Sequence, residues 1–121
     1  MPSKSPEAPL AEIRDNIRLA QPFVENLSLR KFKTDTRTIY AVTRCLEIIS
    51  EASRRLPAAL KSRHTDISWK DTAGAGNVYR HDYEEISTDM IWNTVKALPA
   101  LLEVVGEEPL RAKSKTANPK R

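Results

Sequence analysis

The chain has 121 residues, of which 20 are Lys or Arg and 16 are Asp or Glu, so its net charge is +4. This length predicts one domain with a single modest core. No apolar run is long enough for a transmembrane helix, and Met1–Glu7 lacks the apolar segment of a secretory signal. Cys45 is the single cysteine and lies in an apolar helical pattern, which favours a buried reduced thiol. We therefore expect a cytoplasmic protein with no membrane association.

Most of the positive charge lies at the C-terminal end. Residues 106–121 hold five basic residues against two acidic ones, whereas residues 8–105 hold 14 against 13. We predict a disordered N-terminus at residues 1–8, a folded body at 9–105 and a basic disordered tail at 106–121. A body so close to neutral is not typical of a nucleic-acid platform that binds through net charge.

The first half of the body predicts two main helices. Apolar residues at three- and four-residue steps indicate a helix at 9–26, in which Pro22 predicts a kink. Residues 28–34 have the character of a connector. The longest and most regular apolar pattern then predicts a helix at 35–56, capped by Asp35 or by the threonine before it.

The second half predicts one short and two longer helices. Pro57 separates a short helix at 58–64 from the preceding one, and a further helix is predicted from Trp69 to about Tyr83. Residues 84–86 have the character of a second connector. The last helix is predicted to begin after a Ser87 or Thr88 cap.

Two residues are expected to shape that last helix. Pro99 predicts a kink within it, and Gly106 predicts its end. No segment alternates apolar and polar residues over the length of a strand. The fold class is therefore all-α, an antiparallel bundle of four to five helices. A surplus of apolar and aromatic residues favours a homodimer face, with a filled monomer core as the alternative.

The residues that can carry chemistry concentrate between positions 76 and 83. Arg80, His81 and Tyr83 follow Gly76 and Asn77 within a few residues. A histidine can transfer protons near neutral pH, and an arginine can hold a phosphate. RNA supplies its own nucleophile, the 2′-hydroxyl, so a nuclease needs only a base, an acid and a cation. The alternative is that His81 and Tyr83 have no chemical role and only pack at the end of a helix.

Other chemistries have little support in the sequence. With one cysteine and two histidines 17 positions apart, the chain has no zinc-ligand spacing, so we expect no metal site and no cofactor. The pair of glycines at Gly74 and Gly76 lacks the lysine of a phosphate-binding loop. No local signature of a nucleophilic serine is present.

Several blocks of the chain together resemble one known family. These blocks are residues 43–56 of the long helix, 67–71 before the next helix, 77–83, and 91–95 of the last helix. In this order they resemble HepT ribonuclease toxins of the HEPN superfamily, and the resemblance covers roughly residues 10–105. The family signature, an arginine followed four to six residues later by His-x-Tyr, matches His81 and Tyr83.

The resemblance implies a function and partners. It implies a homodimeric toxin of a bacterial toxin–antitoxin module that cleaves RNA, including tRNA, without a metal ion. It also implies a nucleotidyltransferase antitoxin that inactivates the toxin by transferring AMP to Tyr83. An adenylate there would block RNA from the cleft and repel its phosphates.

One position departs from the family signature. The signature arginine is replaced by Gly76, and Asn77 follows it as in the family pattern. Arg80 lies four residues later, which is one helical turn on the same face, so we expect Arg80 to compensate. The alternatives are a weakened or inactive dimer that binds RNA or the antitoxin, and a structural bundle with no role in RNA metabolism.

Overall fold

A computed structural model describes residues 5–74 and 85–117, and it describes side chains at 5–74 and 88–108. These parts of the chain contain helices and no strand, which confirms the all-α fold class. A further helical stretch at residues 69–74 precedes the gap in the description. The remaining helices are α1 (Glu7–Val24), α2 (Leu29–Thr34), α3 (Thr36–Arg54), α4 (Ala58–Ser62), α5 (Glu85–Lys96) and α6 (Leu98–Ala117).

The pairing of α1 with α3 forms the centre of the bundle. The two helices run antiparallel, since the start of α1 meets the end of α3 through an ion pair between Glu12 and Arg55. The apolar stripes of both helices are buried against each other, and α1 also packs against α6 whereas α3 packs against α5. The fully or almost fully buried residues of this pair include Leu10, Ile13, Ile17, Ala20, Val42, Leu46, Ile49 and Ala52.

The predicted start of the long helix is confirmed in atomic detail. The carboxylate of Asp35 accepts a hydrogen bond from the backbone amide of Thr38 at 3.1 Å. The hydrogen bonds from Thr38 lower the pKa of Asp35 below its ordinary value. Asp35 is therefore the cap, in preference to Thr34, which lies in the preceding helix.

The predicted connector at 28–34 is instead the short helix α2. The hydroxyl of Ser28 caps it by accepting a hydrogen bond from the amide of Lys31, at 3.2 Å. Phe32 is completely buried, and its ring centroid lies 5.2 Å from that of Trp92 on α5. One cap and one buried aromatic ring stabilise a helix too short to be recognised from its periodicity.

The second connector, predicted at 84–86, is also wrong within the described part. Helix α5 spans Glu85–Lys96, so Ser87 and Thr88, the predicted caps, lie within the helix.

The predicted last helix is two helices. Helix α5 ends at Lys96 and α6 begins at Leu98, so Pro99 is the second residue of α6. A proline lacks an amide hydrogen and clashes with the carbonyl one turn earlier, but both penalties vanish in the first turn of a helix. The chain therefore breaks before Pro99 instead of bending around it.

The predicted helix end at Gly106 is wrong, because α6 continues to Ala117. Glycine weakens a helix by only about 1 kcal/mol relative to alanine. Two residues later, the carboxylate of Glu108 accepts two hydrogen bonds from Arg63 and contacts His64, and these interactions offset that cost. Helix α6 thus extends into residues 106–121, which were predicted as a disordered tail. Helix α1 likewise starts at Glu7, within residues 1–8, which were predicted as a disordered N-terminus. The division of the chain into a body and two ends stays a prediction.

Glu108 is held by two neighbouring side chains after α4. The guanidinium of Arg63 donates to both oxygens of Glu108, at 2.7 and 3.2 Å, and Nε2 of His64 lies 2.5 Å from one of them. Burial raises the pKa of the Glu108 carboxyl, but the hydrogen bonds from Arg63 and His64 outweigh burial, and the pKa lies below its ordinary value. This cluster fixes α6 to the segment that follows α4.

No helix within residues 5–74 and 85–117 combines the length and the apolar character that crossing a bilayer requires.

The two charged partners of this cluster are expected to differ in their effect on stability. Arg63→Ala leaves a carboxylate that is only 4% exposed with one remaining donor, so we expect the larger loss in the free energy of unfolding. Glu108→Gln keeps an acceptor, and the 37% exposed side chain of Arg63 remains hydrated, so we expect a loss of about 1 kcal/mol. Urea unfolding followed by circular dichroism measures both values.

The pH dependence provides the control for this prediction. Because the pKa of Glu108 is lowered by folding, its ionised form contributes stability above the ordinary value of 4.5, and that contribution is lost as the pH falls through the lowered pKa. The difference between the parent protein and Glu108→Gln should therefore shrink in acid. A difference that does not change with pH would contradict this assignment.

Candidate functional site

All candidate catalytic and modification residues predicted from the sequence lie outside the described residues. Gly76, Asn77, Arg80, His81 and Tyr83 belong to the ten-residue stretch 75–84. The predictions about their roles, including compensation by Arg80, stay predictions. The described residues on either side show how the fold holds the two ends of this stretch.

The segment 64–74, which leads into this stretch, is anchored at its beginning by the backbone of His64. Its carbonyl accepts hydrogen bonds from the indole nitrogen of Trp69 at 2.9 Å and from the amide of Ile67 at 3.2 Å. Both Ile67 and Trp69 pack against the core. Because the side chain of His64 also contacts Glu108, α6 and the helical residues 69–74 are tied to the same residue.

The C-terminal end of the segment 64–74 is anchored to α3. The backbone carbonyl of Ala73 accepts a hydrogen bond from the hydroxyl of Ser50 and another from the guanidinium of Arg54, both at 2.7 Å. Ser50 is only 1% exposed, while the side chain of Arg54 is 38% exposed. Arg54 also contacts Glu51 at 3.3 Å.

The chain beyond this stretch is held by α2. Trp92 of α5 packs against Phe32, and the ammonium of Lys96 lies 5.1 Å from the centre of the Trp92 ring. The ammonium of Lys33 lies 3.1 Å from the carboxylate of Asp89. Both ends of the 75–84 stretch therefore join helices with fixed positions in the bundle.

Two clefts lie beside these supports. A groove of about 370 Å³ shares Ser50 and Arg54 with the contact at Ala73, so it lies next to the start of the stretch. Its charges nearly balance, since Arg44 and Arg54 face three carboxylates. The lining residues are Glu12, Arg44, Glu47, Ile48, Ser50, Glu51 and Arg54.

The second cleft, of about 410 Å³, is mostly apolar. It lies between α3, the segment 66–72 and the junction of α5 with α6. Asp66 and Asp71 are its acidic residues. A cleft of this composition does not provide the cations that a phosphate backbone requires.

The side chains that the structure describes contain no group of three or more histidines, cysteines or carboxylates that could hold a metal ion. Cys45 is 4% exposed, and burial raises the pKa of its thiol. A buried neutral thiol is a poor nucleophile. The described part of the chain therefore contributes no thiolate chemistry.

Sequence analysis missed the roles of Ser50 and Arg54. Both residues lie in the block 43–56 that carries the family resemblance, and their spacing of four places them on one face of α3. Nothing in the sequence pairs them with Ala73, which lies 19 residues beyond Arg54 and 23 beyond Ser50. The cluster around Glu108 was missed for the same reason.

The chain matches the family model described as Ribonuclease HepT-like over residues 13–107. The matched range begins within α1, includes the whole 75–84 stretch and ends within α6.

Curated proteins with related sequences carry ribonuclease names. The chain is 34% identical to the "Probable ribonuclease HepT" of Thermococcus cleftensis over 93 residues, which cover 76% of this chain and 84% of the relative. It is 31% identical to the "Putative RNase TTE0752" of Caldanaerobacter subterraneus over 105 residues, covering 86% and 94% of the two chains. Among solved structures, none matches the chain significantly.

The state of Cys45 can be checked directly. Because the thiol is buried and its pKa is raised, we expect Ellman's reagent to leave the folded protein unreacted and to label one thiol after denaturation. Cys45→Ala serves as the blank. Rapid stoichiometric labelling of the folded protein would show that Cys45 is accessible.

Proposed function

This chain belongs to the HepT-like ribonuclease family, and we propose that it is a metal-independent endoribonuclease whose active site is formed by residues 76–83. The observation that carries the proposal is the combination of the family match over residues 13–107 with a His-x-Tyr sequence at His81 and Tyr83. The ribonuclease names of two relatives above 30% identity support the same class of reaction.

The proposed reaction uses the nucleophile of the substrate. His81 removes the proton of a ribose 2′-hydroxyl, and the resulting oxygen attacks the adjacent phosphorus atom. The bond from phosphorus to the 5′-oxygen of the next nucleotide breaks, and that oxygen takes up a proton from an acid in the site. A cationic side chain stabilises the additional negative charge on the phosphate oxygens. The products are a 2′,3′-cyclic phosphate and a free 5′-hydroxyl.

This chain departs from its family at the position of the cationic side chain. Gly76 stands where the signature has arginine, and we assign the role to Arg80, which follows four residues later. Tyr83 completes the motif as a hydrogen-bond donor near the phosphate. Asn77 is assigned a supporting role beside them.

A homodimer would bring two copies of the motif into one cleft. A second copy would supply a second His81 as the acid and a second Arg80. Exposed apolar side chains support such an assembly, since Tyr40 is 72% exposed and Leu19 is 58% exposed. Burying aromatic and aliphatic side chains is typical of interfaces between like subunits.

Regulation is proposed to act on Tyr83. In this scheme, the chain is the toxin of a cytoplasmic toxin–antitoxin module, and a nucleotidyltransferase antitoxin transfers AMP from ATP to the hydroxyl of Tyr83 with release of pyrophosphate. The added phosphate would repel the substrate backbone, and the nucleoside would fill the cleft.

A second function is favoured by Gly76 itself. A dimer that has lost its signature arginine can still bind RNA or the antitoxin without cleaving RNA. The two functions differ in one measurable respect, which is whether bound RNA is cut.

Cleavage of RNA by the purified protein tests the proposal. With a tRNA pool in the presence of EDTA, we expect His81→Ala to lower the rate by about 100-fold or more, because the base is lost. Arg80→Ala should lower it by a similar factor, whereas Arg37→Ala, which removes an exposed arginine of α3, should not.

A Gly76→Arg variant completes this experiment. If the parent is inactive and Gly76→Arg cleaves RNA, the chain has the family site but lacks one residue. If the parent and Gly76→Arg both bind RNA and neither cleaves it, the ribonuclease proposal is wrong and the RNA-binding function is supported instead.

Modification of Tyr83 is tested by intact mass. Coexpression with a cognate nucleotidyltransferase should add increments equal to AMP minus water, and Tyr83→Phe should abolish them because the acceptor hydroxyl is missing. Tyr40→Phe provides the matched control, since Tyr40 is an exposed tyrosine outside the motif. Increments that persist in Tyr83→Phe would place the modification elsewhere.

A further inference from the structure

The carbonyl of Ala73 has an unusual pair of partners. It accepts hydrogen bonds from Ser50 and Arg54 of α3, both at 2.7 Å. A carbonyl oxygen has two lone pairs, so it can accept both bonds. One donor is a buried hydroxyl, and the other is a guanidinium, whose charge strengthens the bond.

These bonds attach the backbone at Ala73 directly to α3. Here α3 supplies both donors from one face, because Ser50 and Arg54 are spaced by four residues. The inner face of α3 packs against α1.

We propose that Ser50 and Arg54 form a clamp on Ala73 that positions the ribonuclease motif, an inference that rests on the function proposed above. Gly76 is three residues beyond Ala73, so its Cα lies within about 11 Å of that of Ala73. A displacement of Ala73 therefore reaches the motif through a very short length of chain. The two clamp residues are positioning residues, because they act on the site through the backbone.

Arg44 and Arg54 of α3 can be compared to distinguish the contact with Ala73 from the effect of removing any positive charge from this helix. Arg44 contacts Glu47 at 3.3 Å, and Arg54 contacts Glu51 at the same distance. Both pairs are spaced by three residues on the same helix. The side chain of Arg44 is 71% exposed, whereas Arg54 is 38% exposed and reaches Ala73.

The clamp is tested with Arg54→Gln, Arg54→Lys and Ser50→Ala, and with Arg44→Gln as the matched control. Each is made in the parent chain and in Gly76→Arg. In the more active background, we expect Arg54→Gln to lower kcat by about 10- to 100-fold with little change in KM, because small misplacements of catalytic groups have effects of this size. Arg54→Lys should recover part of the loss, because an ammonium can also donate to the carbonyl. Ser50→Ala should have a smaller effect, because the charged donor remains.

A second measurement does not depend on activity. Hydrogen exchange of peptides that cover residues 69–74 should be faster in Arg54→Gln than in the parent, and unchanged in Arg44→Gln. If no variant cleaves RNA in either background, the proposed function fails, and exchange still decides whether the clamp exists.

Three outcomes would overturn the clamp. Equal exchange in Arg54→Gln and Arg44→Gln would show that the contact at Ala73 holds nothing. Faster exchange with an unchanged kcat would show that the contact does not position the motif. An increase in KM that depends on salt, with kcat unchanged, would make Arg54 an RNA-binding residue instead.

Discussion

The antiparallel packing of α3 on α1 is the contact on which the rest of the molecule depends. It buries the most regular apolar stripe of the chain, including Ile13, Ile17, Val42 and Ile49, and it leaves the opposite faces of α3 available for other contacts. One of these faces presents Ser50 and Arg54 to the chain before the motif. A helix can position another segment accurately only when its own location is fixed by a core of this kind.

Two polar contacts then attach the segment 63–74 to this core at separate places. The cluster of Arg63, His64 and Glu108 ties its beginning to α6, and the two donors of α3 tie its end at Ala73. Between them, Ile67 and Trp69 are packed against apolar residues. The motif of the family thus follows a segment that is held by the scaffold along its length, which is the arrangement expected where reactive groups must be placed within fractions of an ångström.

The charge distribution is consistent with a site of local chemistry and not with broad electrostatic attraction. The body of the chain is close to neutral, and the groove beside Ala73 balances its arginines with carboxylates. A ribonuclease of this kind would depend on a few placed cations, so the replacement of one signature arginine by Gly76 matters more here than it would on a uniformly basic surface.

The errors of the sequence-based element boundaries share a cause. The short helix α2 depends on the burial of Phe32 against Trp92, and the extension of α6 beyond Gly106 depends on the contacts of Glu108 with Arg63 and His64. Both contacts join residues that are more than 40 positions apart, and local propensity carries no information about them. The break before Pro99 differs from these two errors, because proline is itself a local signal. That signal does not distinguish a kink within one helix from a break between two helices.

The sequence by itself determined the all-α class, the central helix to within two residues with a cap at Asp35 or Thr34, and the family to which the chain belongs. These features depend on periodicity, on a cap three residues from its partner, and on the order of residues along the chain, all of which are local. Only the tertiary structure decided which polar side chains meet. Ser50 and Arg54 reach Ala73, and Arg63 reaches Glu108, because helices distant in sequence pack side by side. Contacts of this kind depend on how the core orients each helix, which no single segment specifies.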